Sequence, residues 1–382
     1  MKPRLLVITE YFYCPERVNH RNVGGGGISE YGLLDFISRD FEIHVASNMP
    51  DEDSAVVKEH FIFHKINLNK IPYAGVINDC IVKAAFKEQG REIIRKISPD
   101  FIMAGTILLS AGVHLAKESR ISSIGSIRAY ENFYDDSLYG SSPLIRKLDT
   151  ALRSVFFKRQ DACAIRDADI VLTNSIFMQE MVRKYFHAGS EVIYPPFVAD
   201  KFTGIPASKG KVLGFIKPEP SKGLDIVLRI AEQIPDVRIL CFGTPPENAS
   251  AISGKYRNIE FMGWKSEPRE IYSRIKILLV PSIWPEPFGR VAVEALSAGV
   301  VPIVADRGGL PEAVGYDPEL IVPDLFNVKE WISRIEKFLI EPQSYESALR
   351  KGKTLIGKFD IFNQGDKFKT ILMDKLSQKA VL

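Results

Sequence analysis

A chain of 382 residues is long enough for two or three domains, each with a core of its own. At 46% hydrophobic and 25% charged residues, its composition excludes a disordered or fibrous chain. The balance of 50 Lys and Arg against 47 Asp and Glu gives a net charge of +3, too even to argue for nucleic-acid binding. Cys14, Cys80, Cys163 and Cys241 lie too far apart for metal-ligand spacing or a disulfide framework, which predicts reduced, mostly buried thiols. Met1-Lys2-Pro3-Arg4 leads into an apolar run too short for a signal peptide, and no run reaches membrane-spanning length, so the expected location is the cytoplasm.

Residues 5–8, Leu-Leu-Val-Ile, form a continuous aliphatic run of the kind buried on both faces of a parallel sheet. Gly24-Gly25-Gly26-Gly27 follows, immediately before a helical pattern over 28–38. Strand, glycine loop and helix together can cradle an anion, although the spacing does not fit the dinucleotide fingerprint G-x-G-x-x-G. Further strand-like runs recur at 41–46, 61–66, 101–104, 121–127, 170–173 and 192–194, with helical patterns between several of them. This alternation predicts a doubly wound parallel sheet, whose ligands bind beyond the carboxyl ends of the strands. Arg128, Glu131 and Asn174 follow strands and occupy such positions.

The helix from Leu144 to Arg159 mixes Arg146, Lys147, Arg153, Lys158 and Arg159 with Leu148, Leu152, Val155, Phe156 and Phe157. Two readings are open. Its apolar face packs into the core, or it docks on an anionic membrane surface. The proline-rich stretch at 193–197 and the polar stretch at 204–211 read as a linker. Beyond it a second α/β series opens, with strands expected at 212–216, 237–242, 259–262, 277–280, 300–304 and 320–322. Two such halves imply a cleft between them. The expected boundaries are 1–198 for a first Rossmann-like domain, 199–360 for a second, and 361–382 for a terminal helix.

In the second half, the strand at 212–216 is followed by Lys217-Pro218-Glu219-Pro220-Ser221-Lys222-Gly223, with Ser221 a plausible N-cap of the next helix. Two lysines near a helix N-terminus suit a diphosphate. After the strand at 277–280 comes Trp284-Pro285-Glu286-Pro287-Phe288-Gly289. Two prolines stiffen this turn, and its carboxylate can accept from paired hydroxyls. Glu294 lies eight positions on, inside a largely apolar helix where a charge calls for a partner or a function.

These features resemble the retaining glycosyltransferases of family 4, which have the GT-B fold. The shared features are the Ser-x-x-x-x-Glu-Pro-Phe-Gly run at 282–289, the E-x7-E pair Glu286 and Glu294, and Ser297-Ala298-Gly299. Gly308-Gly309 with Glu312, Gly263 after a strand, and Lys222-Gly223 also match. More loosely, the first half shares the glycine loop, Ala168-Asp169 with Thr173-Asn174-Ser175, and Val192-Ile193-Tyr194-Pro195-Pro196. The resemblance implies the following roles. Glu294 binds the nucleotide ribose. Glu286 binds the donor sugar, beside the backbone of Phe288 and Gly289 and the start of the helix at Arg290. Lys222 holds the diphosphate, approached by Gly26 and Gly27 from the first domain. Gly243, Gly263 and Trp264 border the base, and the terminal helix crosses back to the first, acceptor-side domain.

Two positions depart from the family pattern. Ile216-Lys217 stands where Gly-Arg is usual, so Lys217 keeps the charge but loses the bidentate fork. Arg128-Ala129 stands where many members have His-Asp. Arg128 then becomes a cation that could stabilise the departing phosphate. His114 lies in an apolar helix and reads as structural. Asp51-Glu52-Asp53 and Asp167-Ala168-Asp169 spell the metal motif of the other large glycosyltransferase fold, but the resemblance implies neither metal nor cofactor. The expected function is transfer, with retention, of a hexose-type sugar from a UDP- or GDP-linked donor to a glycan or lipid-linked acceptor. A catalytically degenerate nucleotide-sugar-binding protein is the alternative. An NAD-dependent oxidoreductase is disfavoured by the glycine spacing.

Overall fold

A computed structural model of the chain describes residues 2–13, 25–48, 56–58, 60–69, 75–135, 144–206, 208 and 210–380. Two compact units emerge. Unit 1 gathers the described residues within Met1–Ser137, Ser142–Pro196 and Ile361–Leu382, and unit 2 those within Phe197–Asp360.

Unit 1 is built on strands β1 (Arg4–Ile8), β2 (Glu42–Ser47), β3 (Val56–Lys58), β4 (Phe61–Lys65), β5 (Phe101–Gly105), β6 (Ser122–Ile127), β7 (Ile170–Thr173) and β8 (Glu191–Val192). Its helices are α1 (Gly25–Ile37), α2 (Gly75–Ile97), α3 (Leu109–Ser119), α4 (Leu144–Asp167) and α5 (Ile176–Phe186). The sheet order is β3-β4-β2-β1-β5-β6-β7-β8, parallel throughout except for the antiparallel edge strand β3. The aliphatic run of β1 shows why the sheet is covered twice. Leu5 and Val7 join one core with Leu33, Leu34 and Ile37 of α1, while Leu6 and Ile8 join another with Val82, Phe86 and Leu115 of α2 and α3. Alternating side chains of one strand thus feed both faces.

Unit 2 contains β9 (Val212–Ile216), β10 (Arg238–Phe242), β11 (Ile259–Gly263), β12 (Ile277–Val280), β13 (Val301–Ala305) and β14 (Ile321–Val322). The helices are α6 (Leu224–Gln233), α7 (Ala249–Lys255), α8 (Pro268–Tyr272), α9 (Arg290–Ser297), α10 (Leu310–Ala313), α11 (Val328–Ile340) and α12 (Pro342–Ile356). Its strands run in the order β11-β10-β9-β12-β13-β14 with parallel pairing. The order reverses between β9 and β12, so the loops after these strands flank a switch point, the position where such sheets bind ligands. In unit 1 the corresponding reversal lies between β1 and β5.

The chain returns to unit 1 in α13 (Ile361–Ala380), whose Phe368 and Leu372 enter the core beside α1. Gly365 permits that approach, because a Cβ there would lie 2.1 Å from the Phe36 ring. Phe362 stacks edge-on against the same ring, and Lys375 pairs with Asp169 at 2.9 Å. Among the described residues no helix is long and apolar enough to cross a membrane.

Several local expectations are corrected. Gly26 and Gly27 are not loop residues but part of the first turn of α1; Gly24 and Asp51-Glu52-Asp53 lie outside the described residues. The cap of α6 is Gly223, at φ 89°, and Ser221 sits in the preceding 3-10 turn. Cys80 and Cys163 are exposed, Cys241 alone of the described thiols is buried, and Cys14 is not described. His114 is on the solvent face of α3, 3.6 Å from Glu118.

Candidate active site

The loops after β9 and β12 bring Lys222 and Glu286 together. Glu286 Oε1 accepts from Lys222 Nζ at 2.6 Å and from Ser282 Oγ at 2.7 Å. The ammonium also lies 4.6 Å from the Trp284 ring centre, a cation–π contact. Both charged side chains are largely withdrawn from solvent, at 19% and 14% exposure, so their attraction is less screened than that of a surface pair.

Backbone geometry sets the position of Glu286. Its carbonyl accepts from Gly309 N at 2.7 Å, and the residue bridges to Gly308. Gly308 has φ 62°, and a Cβ there would lie 2.2 Å from the Glu286 carbonyl oxygen. The two loops can meet only because this residue has no side chain. Phe288 is buried with its ring against Phe359, and Gly289 at φ 111° caps α9. Helix α9 therefore begins at Arg290, immediately beyond the carboxylate.

Glu294, one turn into α9, is held from both sides. Arg290 Nε donates to Oε1 at 2.6 Å, and the Tyr272 hydroxyl donates to Oε2 at 3.1 Å. Tyr272 is fully buried at the end of α8, and that burial, followed by the Glu294 charge, raises its pKa well above the ordinary phenol range. It remains an O–H donor. Sequence reasoning missed Tyr272. Its signal, a tyrosine ending a short helix just before an apolar strand, says nothing of the carboxylate 22 positions on.

Lys217 is exposed at the end of β9, with φ 59°, and its amide donates to the Phe242 carbonyl at 2.7 Å. This places it beside Gly243, whose amide in turn donates to the Gly263 carbonyl at 2.9 Å. Trp264 follows, 40% exposed. Lys217, Gly243, Gly263 and Trp264 thus line the ends of β9, β10 and β11, next to the switch point.

Gly26, Gly27 and Arg128 belong to unit 1. Arg128 Nε donates to Ser126 Oγ at 3.0 Å and Nη1 reaches the Gly26 carbonyl at 3.5 Å; Asn174 Nδ2 donates to the Arg128 carbonyl at 2.9 Å. The carboxyl ends of β6 and β7 and the start of α1 therefore meet around Arg128. Asp169 carries no open carboxylate: its oxygens take Ser123 N and Oγ and the Lys375 ammonium, which together hold its pKa low despite the opposing effect of burial.

Two doubly wound units, the second with charged loops at its switch point, give the chain the GT-B fold. Sucrose-phosphate synthase from Thermosynechococcus elongatus has the same fold, with a TM-score of 0.80 and 16% identity over 99% of this chain and 100% of that one. HepE from Anabaena, solved with UDP and glucose, gives a TM-score of 0.68 at 16% identity, covering 97% and 100%. Residues 200–354 match the family model described as Glycosyl transferases group 1. The D-inositol 3-phosphate glycosyltransferase of Mycobacterium sp. (strain JLS) is 30% identical over 201 residues, 46% of this chain and 46% of its own length. The uncharacterized glycosyltransferase YqgM of Bacillus subtilis is 24% identical over 208 residues, 51% and 58% of the two chains. The chain thus spans about half the length of the curated relatives it matches.

Proposed function

We propose that this protein is a retaining, metal-independent glycosyltransferase that moves a hexose-type sugar from a UDP- or GDP-linked donor to a glycan or lipid-linked acceptor. One observation carries the reading. Lys222 and Glu286 meet at 2.6 Å, and eight positions on a second carboxylate, Glu294, is fixed by Arg290 and Tyr272, all in the unit that matches the family model. HepE, which shares the fold, has been solved with UDP and with UDP-glucose, which supports a nucleotide-sugar donor.

In this reading Glu294 accepts from the ribose hydroxyls. Glu286 accepts from hydroxyls of the sugar, next to the amides that open α9, with Phe288, Gly289 and Arg290 shaping the turn. Lys222, Lys217 and the α9 N-terminus oppose the negative charge that grows on the diphosphate as the anomeric bond breaks. Gly243, Gly263 and Trp264 border the base. Gly26 and Gly27 serve the diphosphate, and Arg128 is a further cation for the leaving group.

A thermal-shift panel of UDP, GDP, ADP and TDP sugars would name the donor, because a ligand of the folded state raises the melting temperature by mass action. Turnover of the stabilising donor, lost in Glu294→Ala, is expected. Binding without transfer or hydrolysis would favour the degenerate reading. Undiminished nucleotide affinity in Glu294→Ala would remove the ribose assignment.

The proposal extends to a cytoplasmic location with peripheral contact on an anionic membrane through Leu144 to Arg159. Leu148, Leu152, Val155 and Phe156 form one stripe along α4 and are 54% to 81% exposed, while Phe157 on the opposite side is buried. The core-packing alternative accounts for Phe157 but not for that stripe. Lys147, Lys158 and Arg159 lie exposed along it. Arg153 is excluded, because its guanidinium is taken by Asp79 and Asp149. Salt-sensitive flotation with phosphatidylglycerol vesicles, abolished by Lys158→Glu with Arg159→Glu, is the expected result; flotation that survives this pair of reversals would remove the contact.

A further inference from the structure

Beneath the loops at the carboxyl edge of unit 1's sheet lies a buried charge cluster that the proposed chemistry does not use. Asp161 of α4 has no exposed surface. Its Oδ1 takes Lys83 Nζ of α2 at 3.3 Å, and its Oδ2 takes both Asn132 Nδ2 and the Tyr134 hydroxyl at 2.7 Å. Lys83 is itself buried, donates to Ser110 Oγ of α3 at 3.1 Å and lies 4.0 Å from the Phe157 ring centre. Asn132 also donates to the Thr106 carbonyl at 2.7 Å. One carboxylate therefore ties three helices to two loops.

These two loops lie where a doubly wound sheet receives ligands. Thr106 is the first residue after β5, beside the reversal between β1 and β5, and residues 128–135 follow β6 and begin with Arg128. Both tied residues have left-handed backbones, with φ 50° at Thr106 and 54° at Tyr134. Non-glycine residues hold such conformations only where surrounding contacts over-determine them. A buried ion pair is a poor device for stability, since apolar residues of similar volume do as well or better. Its use here is geometric.

We infer that Lys83 and Asp161 are positioning residues that, through Asn132 and Tyr134, fix the loops after β5 and β6 as the acceptor-binding edge of the enzyme. The inference rests on the glycosyltransferase reading. Tyr134→Phe removes one donor at constant shape, and the double variant Lys83→Met/Asp161→Leu replaces the pair without leaving a lone charge. With the donor selected by the thermal-shift panel and whichever acceptor the wild-type chain glycosylates, both variants are expected to raise the acceptor KM about tenfold, as a displacement of loops by a fraction of an ångström does, to lower kcat as Arg128 shifts from the leaving group, and to leave the donor KM within about twofold. Hydrogen exchange should quicken at 106–108 and 128–135 while the melting temperature holds. A folded variant with unchanged acceptor KM overturns the inference, as does an equal rise in both KM values. A wild-type chain that transfers sugar to no acceptor from any donor instead sinks the glycosyltransferase reading on which it rests.

Discussion

The phenol of Tyr272 donates to Glu294 Oε2 at 3.1 Å while Arg290 holds the other oxygen at 2.6 Å. The carboxylate assigned to the ribose is thereby oriented by a residue from a different helix. Replacing Tyr272 with Phe should cost about 1 kcal/mol of nucleoside-diphosphate affinity, roughly fivefold in Kd, with the fold intact. Calorimetric titration with UDP or GDP measures it. An unchanged Kd would mean that Arg290 alone suffices.

The Lys222–Glu286 pair predicts a split between binding and chemistry. Glu286→Gln keeps the shape but not the charge. It should lower kcat by about a hundredfold or more while nucleoside-diphosphate affinity stays near the wild-type value. Lys222→Ala should weaken a nucleoside diphosphate far more than the corresponding nucleoside. Parallel losses of diphosphate and nucleoside binding would argue that Lys222 supports the loop rather than the phosphates.

Gly308→Ala tests the backbone approach that seats Glu286. A methyl group 2.2 Å from the Glu286 carbonyl, on a residue at φ 62°, has to push the two loops apart. We expect a loss of about 2–4 kcal/mol, or a rearranged loop with lost turnover. Gly254→Ala, in α7 and with nothing within 4 Å of the added carbon, is the control and should fold and turn over as the wild type does. Denaturation midpoints and transfer rates for the two variants decide.

Unit 1 carries a pH-sensitive pair unrelated to the chemistry. His44 Nδ1 lies 2.9 Å from His64 Nε2, and His44 Nε2 lies 2.9 Å from Glu42, which also meets Arg4. Burial, then the charges of His44 and Lys96, push His64 down to about 4. The unfolded chain therefore binds this proton first, so stability is full above pH 6.5 and falls as pH drops toward 4. Between pH 7.5 and 5 the loss is about 2 kcal/mol. His64→Gln should flatten the decline over that range, and an identical decline in wild type and variant would refute it.

The strands were legible because a run such as Leu-Leu-Val-Ile has no comfortable place except between two apolar layers. The turn around Glu286 was legible for a similar local reason, since two prolines and a glycine leave few conformations. Side chains whose role depends on distant neighbours were not. Ser221 looked like a cap, but the left-handed turn at Gly223 took that place. Arg153 looked like a solvent-facing cation, but two aspartates, one of them on α2, claim it. Helix α4 reads first as a helix with its apolar face in the core and only second as a docking surface, because its periodicity gives an apolar stripe without saying what covers it.

The sequence by itself determined the two α/β series, the strand positions and the identities of the lysines and carboxylates at the strand ends. Burial preferences and turn stereochemistry act over a few residues, and a chain carries them wherever it goes. Tertiary structure decided which of those charges meet: Lys222 with Glu286, Tyr272 with Glu294, Lys83 with Asp161. It also returned α13 to unit 1, through the gap that Gly365 leaves for Phe36. Such pairings join residues from 22 to 78 positions apart, and only packing of whole elements against one another brings them within hydrogen-bonding distance.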